Sequence, residues 1–240
     1  MIGAAQVSMA LARVRKQSPK VHCLMNTVAQ KLVADGLSAL GGHPSMTSSA
    51  EEIGVFINRA DALLVNLGTM QEGKRRVVET AVGLMQERRG PVVLDPVFCD
   101  SSPLRLDFAL KLIGHGAVAI RGNANEIGAV GATVDAIIVQ TGQIDRIWRH
   151  DRRYVVANGH HYLPLVSGTG CLSGALIAIF MAAEPDRLLA AVAAQAVLGI
   201  AAELAAERSA GPGSFAPALL DALHALDDVA IGERLRVGHG

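Results

Sequence analysis

The sequence predicts a layered α/β fold with a mostly parallel central sheet, as a single domain spanning residues 1–240. Three observations carry that expectation. Short apolar, strand-like runs alternate with helical ones along the whole chain, the pattern of a sheet whose parallel strands are joined by helices. Half of the residues are hydrophobic and only 3% are aromatic, so a sizeable core can form and must be aliphatic and alanine-rich. No linker, charge block or repeat divides the 240 residues, a length that is long for one domain but compatible with one large α/β unit.

The elements follow in order. "VHCLM" (21–25) reads as a strand, and a helical stretch follows it to "LGGHP", where Gly and Pro break it. "DALLVNLG" (61–68) is an apolar run closing on glycine, and "EGKRRVVETAVGLMQERRG" is an amphipathic helix ending at Gly90. "PVVLDPV" (91–97) is a buried strand, followed by a helix from about Leu104 to Ile113. "AVAIRGN" (117–123) is the next strand, and "NANEIGAV" opens a short helix. "AIIVQTG" (136–142), "DRIWRHDRRYVVANG" and "HYLPLV" supply further strands, the middle one as a hairpin turning near His150 and Asp151. An apolar helical run then begins at "LSGALIAIFMAA", and two long helices split by "SAGPGSF" (209–215) finish the chain.

Composition excludes several classes. Formal charge is zero, 22 basic against 22 acidic residues, so there is no basic field for nucleic acid and no acidic tail. Cys23, Cys99 and Cys171 are odd in number, far apart and form no CxxC pair, as expected of a reduced, cytoplasmic protein without a zinc site. In "MIGAAQVSMALARVRK" the charges follow the apolar part, the reverse of a secretory signal. The longest fully apolar run, around Ala175 to Ala183, is too short to span a bilayer. The Ala-rich stretch Leu188 to Ala206 carries Gln195 and Glu203 and reads as a buried helix of a soluble, membrane-free protein.

Polar residues gather where the strands end: Asn26; Asn66, Gly68 and Thr69; Asp95-Pro96; Arg121-Gly122-Asn123; Thr141-Gly142. Ligands of open α/β sheets bind beyond these carboxyl ends. The stretch "LVSGTGCLSGA" (165–175) adds two glycines, hydroxyls and a cysteine at the start of a helix. Unpartnered N–H groups and the helix dipole attract anions there, and glycines let them approach closely. A tight turn that merely starts a buried helix is the alternative. A rim of Asp, Glu and Arg around a glycine-rich anion cradle suits a nucleotide with a divalent cation.

The stretches "VHCLMNTV", "ADGLSALGGHPSM", "ALLVNLGTM", "PVVLDPV", "IRGNANEI", "VSGTGCLSGALIA", "GIAAELAAE" and "GPGSFAPALLDAL" together resemble the hydroxyethylthiazole kinase family, of the ribokinase-like small-molecule kinases. They occur in family order from about His22 to Leu223. The resemblance implies a ribokinase-like three-layer α/β/α fold. It implies ATP-dependent phosphorylation of the primary alcohol of 4-methyl-5-(2-hydroxyethyl)thiazole in thiamine salvage, and a homotrimer with active sites between subunits. It places the backbone of Gly168, Thr169 and Gly170 at the transferring phosphoryl group, with Cys171 where related kinases carry an aspartate base. A cysteine at a helix N-terminus ordinarily has a lowered thiol pKa, which neighbouring phosphate would oppose. Asn123 and Glu126 match the Asn-x-x-Glu pattern near Mg²⁺, a hard cation that takes carboxylate, water and phosphate oxygens; Asp95 joins them at the metal and nucleotide side. Arg121 and Thr141 match nucleotide-contacting positions. Asn26, Val28, Met46, Gly68 and Gly168 match the thiazole pocket, while His22 and His43 read as turn or pocket-wall residues.

Two departures stand out. After "LDPV" the family normally has a Gly-Ala-Gly turn, whereas this chain has Phe98-Cys99-Asp100, residues that reach φ > 0 only at a cost. Asp100 then recruits Mg²⁺ or repels ATP. The stretch from Gly128 to Ala136 is also shorter than usual, though long enough for a crossover. Rival readings are a kinase of another small alcohol such as a hydroxymethylpyrimidine, against which Cys171 argues; an impaired nucleotide-binding relative; and a cysteine hydrolase, which needs a histidine beside Cys171. A dinucleotide-binding reductase is weaker still, since no GxGxxG follows the first strand.

Overall fold

The computed structural model describes residues 2–70, 73–131 and 135–240. In chain order it contains helix α1 (Ala4–Gln17), strand β1 (Lys20–Leu24), α2 (Gln30–Ala39), β2 (His43–Ser45), α3 (Ile53–Arg59), β3 (Ala62–Asn66) and α4 (Lys74–Glu87). There follow β4 (Val92–Asp95), α5 (Pro103–Gly114), β5 (Ala119–Gly122), α6 (Ala124–Val130), β6 (Ile137–Gln140), β7 (Asp145–Arg149) and β8 (Arg152–Val156). The chain closes with α7 (Thr169–Ala183), α8 (Arg187–Glu207), α9 (Pro212–Ala225), α10 (Asp228–Arg234) and β9 (Val237–His239).

Among the described residues one sheet of nine strands runs in the order β2-β1-β3-β4-β5-β6-β7-β8-β9. The strands from β2 to β6 are parallel and those from β6 to β9 antiparallel. Successive side chains of a strand face opposite ways, and both faces here are apolar. Cys23, Leu64, Val93 and Ala119 enter one core with α1, α2, α7, α8 and α9, while Leu24, Val65 and Leu94 enter a second with α3, α4 and α5. The result is the expected ribokinase-like three-layer arrangement. Helices α7 and α8 are apolar nearly all round because they lie inside. Among the described residues α8 alone is long and apolar enough to cross a membrane, and it is mostly buried in the fold.

Most expected elements are present. The hairpin turns at His150, which adopts φ +54°, and the short β5–α6–β6 crossover is parallel. Of the shortened stretch, residues 132–134 lie outside the described residues. "HYLPLV" is not a strand: Leu163–Leu165 form one turn of 3-10 helix, because Pro164 offers no N–H to a ladder. Where a helix break was expected at "GGHP", His43–Ser45 continues as an edge strand, a setting that tolerates a strand proline. Strand β9 pairs with β8; three residues flanked by polar ones carry too little pattern to be read. Asn158 anchors this C-terminal segment: its Nδ2 donates to Arg234 O (2.7 Å) and Glu203 Oε1 (3.1 Å), and its Oδ1 accepts from Arg236 N (2.7 Å). Helix α8 approaches it so closely that a Cβ on Gly199 would stand 2.6 Å from the Asn158 carbonyl.

Because β1 and β3 to β6 are parallel, their carboxyl ends share one edge of the sheet. Helix α7 packs on β3 and β4, which brings its N-terminus to that edge.

Candidate active site

At the carboxyl edge a hydrogen-bonded chain links four of the expected residues. Asn26 Nδ2 donates to Asn66 Oδ1 (3.1 Å), and Asn66 Nδ2 donates to Asp95 Oδ2 (2.7 Å). Both amide nitrogens lie 3.4 Å from Cys171 Sγ. The Gly68 N–H donates to Asn66 Oδ1 (3.0 Å), and a Cβ on Gly68 would stand 2.8 Å from that oxygen. Asn26 and Asn66 thus use β1 and β3 to hold the thiol of α7.

Asp95 is fully buried. Burial pushes its carboxyl up to about 6, with Glu126 adding to the rise and Arg121 and Asn66 opposing it. Arg121 Nη1 lies 3.5 Å from Asp95 Oδ1, and its Nη2 donates to Thr141 Oγ1 (3.0 Å). Among the described residues, Asp95 Oδ1 and Arg121 Nε are buried without a hydrogen-bond partner. Such atoms are costly to leave unpaired and are open to a ligand. The guanidinium also lies against Gly170, where a Cβ would meet it at 3.0 Å. A larger residue there would have to push the guanidinium aside.

Gly168 precedes α7 with φ +93°, and no side chain caps this helix. The Thr169 hydroxyl turns away, toward Leu163 O (2.7 Å) and Val166 O (3.0 Å). The Thr169 N–H reaches Val166 O (3.4 Å), while those of Gly170 and Cys171, which have no intrahelical acceptor, remain for an anion. Cys171 does not have the lowered pKa expected of a helix N-terminus. Burial raises it and Asp95 raises it further, outweighing the two asparagines and Arg121, so the group is a neutral thiol. Its hydrogen-bond partners among the described residues are asparagines, not histidine, which removes the basis for a hydrolase.

Glu126 has both oxygens engaged: Oε2 accepts from Asn123 N (2.8 Å) and Oε1 from Phe98 N (2.9 Å). The Asn123 side chain accepts from Asn125 N and Glu126 N in return, a capping box. These backbone donors fix the orientation of the carboxylate. Phe98 reaches Glu126 by adopting φ +59°, the conformation for which a glycine turn is suited. Its ring is 62% exposed, with Arg105 Cζ 5.8 Å from its centroid. Cys99 is buried and Asp100 exposed. Phe98→Gly is expected to exceed Phe98→Ala in stability by about 1 kcal/mol, since both lose the ring and only glycine sheds the strain. Thermal melts of the two variants decide it, and equal stabilities would count against a strained turn.

The remaining expected residues spread along the edge. Met46 is partly buried against the main core, while Val28 is 75% exposed. His22 is not a wall residue. It is fully buried, and its ring nitrogens contact Ser45 Oγ (2.8 Å) and Thr47 O (3.0 Å), holding both sides of Met46. Burial lowers its pKa. His43 is exposed on β2. Two residues escaped the sequence reading. Lys74 Nζ donates to Gly68 O (3.0 Å) and Met25 O (3.3 Å). Asp145 Oδ1 accepts from Gly142 N (2.9 Å), and its carboxyl is raised to about 6, chiefly by burial. A lysine in an amphipathic helix and an aspartate opening a hairpin carry no local signal of such roles.

No group of three His, Cys, Asp or Glu among the described residues gathers to hold a metal alone. The hard oxygens of Asp95 and Glu126 instead suit a Mg²⁺ that takes its other ligands from phosphates and water. Clefts of about 420 and 460 Å³ lie on other faces, beside Arg15 and Asp227 and beside Arg149 and Asp186 respectively.

Comparison with known proteins gives the family and the fold. The model of the Hydroxyethylthiazole kinase family matches residues 11–133 and 129–228. A protein of Agrobacterium fabrum named a probable hydroxyethylthiazole kinase is 48% identical, over 98% of this chain and 96% of its own length. The hydroxyethylthiazole kinase of Granulibacter bethesdensis is 35% identical, over 94% and 92%. A solved structure of the hydroxyethylthiazole kinase protein from Pyrococcus horikoshii superposes with a TM-score of 0.95 at 33% identity, covering 98% of both chains. The pyridoxal kinase of Staphylococcus aureus, with a TM-score of 0.58 at 15% identity over 77% of this chain and 87% of its own, shares the fold.

Proposed function

This chain belongs to the hydroxyethylthiazole kinase family, and from that premise we infer how its strand-end residues carry out the reaction. The protein is a small-molecule kinase that phosphorylates the hydroxyl of 4-methyl-5-(2-hydroxyethyl)thiazole from ATP, in thiamine salvage. The observation that carries the residue assignment is the meeting of the uncapped start of α7 with Arg121 and buried Asp95. The backbone of Gly168, Thr169 and Gly170 receives the transferring phosphoryl group. Arg121, held by Thr141, neutralises charge on the nucleotide phosphates beside Asn123. Asp95 and Glu126 hold Mg²⁺, which when bound supplies charge neutralisation on the phosphates. The alcohol lies over Asn26, Gly68 and Gly168, with Met46 and Val28 toward the ring, and brings its hydroxyl to the Cys171 side. Phosphoryl transfer depends chiefly on positioning and charge stabilisation, so a neutral thiol flanked by two amides suffices there as an orienting group.

The whole chain acts as one kinase domain, since a single sheet includes strands from both ends of it. It works in the cytoplasm, as its three free cysteines fit, and as a homotrimer with sites between subunits. Exposed Val28 supports the last reading, because an apolar pocket residue in the open needs a further wall.

A coupled assay of ADP release with ATP and Mg²⁺, with and without the thiazole alcohol, tests the reaction. Alcohol-dependent release is the expected result. Its absence from folded protein would sink the assignment and point to another alcohol.

A further inference from the structure

Lys74 sits in the first turn of α4, the wrong helix end for a cation, and burial lowers its pKa, with Arg105 adding to that. Its ammonium nevertheless turns inward. It spans Gly68 O (3.0 Å), Met25 O (3.3 Å) and Thr69 O (3.5 Å). The ladder between β1 and β3 ends at Leu24 opposite Val65. Beyond that pair the regular pairing stops, and carbonyls there need other donors. Lys74 supplies them where the chains run into Asn26 and Gly68, which lie against each other. Thr69, beside this junction, is itself held at φ +48°.

We propose that Lys74 is a positioning residue of the acceptor pocket: by tying the segments that follow β1 and β3 through the Met25 and Gly68 carbonyls, it fixes Asn26 and Gly68 where the alcohol binds. This rests on the assignment of those two residues to the alcohol. The role is mechanical and electrostatic together. An ammonium makes stronger bonds to carbonyls than a neutral donor does, and a pocket whose two walls are tied does not have to order itself on binding.

The test compares the wild-type chain with Lys74→Met and Lys74→Arg. Lys74→Met keeps the aliphatic stem and removes the donors; its KM for the thiazole alcohol is expected to rise about 10-fold or more, with KM for ATP within about two-fold. Lys74→Arg, which restores a cation with several donors, is expected to recover most of the loss. Circular dichroism and melting temperature establish that each variant is folded. Calorimetric binding of the alcohol alone reads the same pocket without turnover, and Lys74→Met is expected to weaken it by the same factor. An unchanged affinity for the alcohol, or equal losses toward alcohol and ATP, would overturn the proposal. If wild type binds the alcohol but does not turn it over, the kinase assignment fails while the Lys74 comparison still stands. If it binds no alcohol, both fall.

Discussion

Asp95→Asn is expected to lower kcat/KM by about 100- to 1000-fold while leaving the protein at least as stable as wild type at pH 8. The two effects have one cause. Asp95 is fully buried, and burial raises its carboxyl from 3.8 to about 6. In the unfolded chain the same group titrates at its ordinary value. Below pH 4 both states are protonated and the group contributes nothing. As pH rises from 4 to 6, the unfolded chain releases its proton first, and stability falls. Above pH 6 the full penalty is present, on the order of 3 kcal/mol. The ion pair with Arg121 lessens the cost of the buried charge but does not cancel it. Asparagine keeps the shape and the acceptor for Asn66, and removes the charge that Arg121 and a cation need. Urea melts of both proteins from pH 4.5 to 8 check the sign: the stability advantage of Asp95→Asn shrinks on acidification. A wild type more stable at pH 8, with a gap independent of pH, would refute this account.

Gly168→Ala is expected to cost about 2–5 kcal/mol and about 100-fold in kcat/KM. Gly168 has φ +93°, and an added Cβ would stand 2.9 Å from Ala29 Cβ and 3.2 Å from Ala29 Cα. The left-handed backbone costs an alanine about 1–2 kcal/mol, and overpacking a buried neighbour costs about 1–3 kcal/mol more. Ala29 is buried and cannot yield alone, because its N–H donates to Asn26 Oδ1 (3.1 Å). A shift there moves both the anion cradle and the residue that holds Cys171 Sγ. A misplacement of about 1 Å at a reacting centre can cost about 100-fold in rate. Melting curves and the coupled assay measure the two effects. A variant within about 0.5 kcal/mol of wild type would show that α2 and the α7 start are not in the contact described.

Much of this was legible beforehand, for reasons that differ by residue. Continuous apolar runs such as Leu63 to Val65 and Val92 to Leu94 announce buried parallel strands, because such strands are covered on both faces. Their polar ends, Asn66 and Asp95, follow directly. The Gly-Thr-Gly-Cys helix start was visible because its glycines are needed locally. The Asn123–Glu126 pair was legible through the Asn-x-x-Glu pattern of the family it resembles; that it closes a capping box is seen only in the fold.

By itself, then, the sequence determined the strand–helix order, the carboxyl edge where the polar residues meet and the helix start that completes it. These depend on chain-local periodicity and backbone chemistry. Only the tertiary structure decided what those residues become to one another. Cys171 and Asn26 are 145 positions apart, and the thiol rises in pKa because the folded chain desolvates it beside Asp95. Lys74 looks like a solvated helix cation until the fold sets the Met25 and Gly68 carbonyls against it. Desolvation and the pairing of distant backbone groups are properties of the packed whole, and no short stretch of chain contains them.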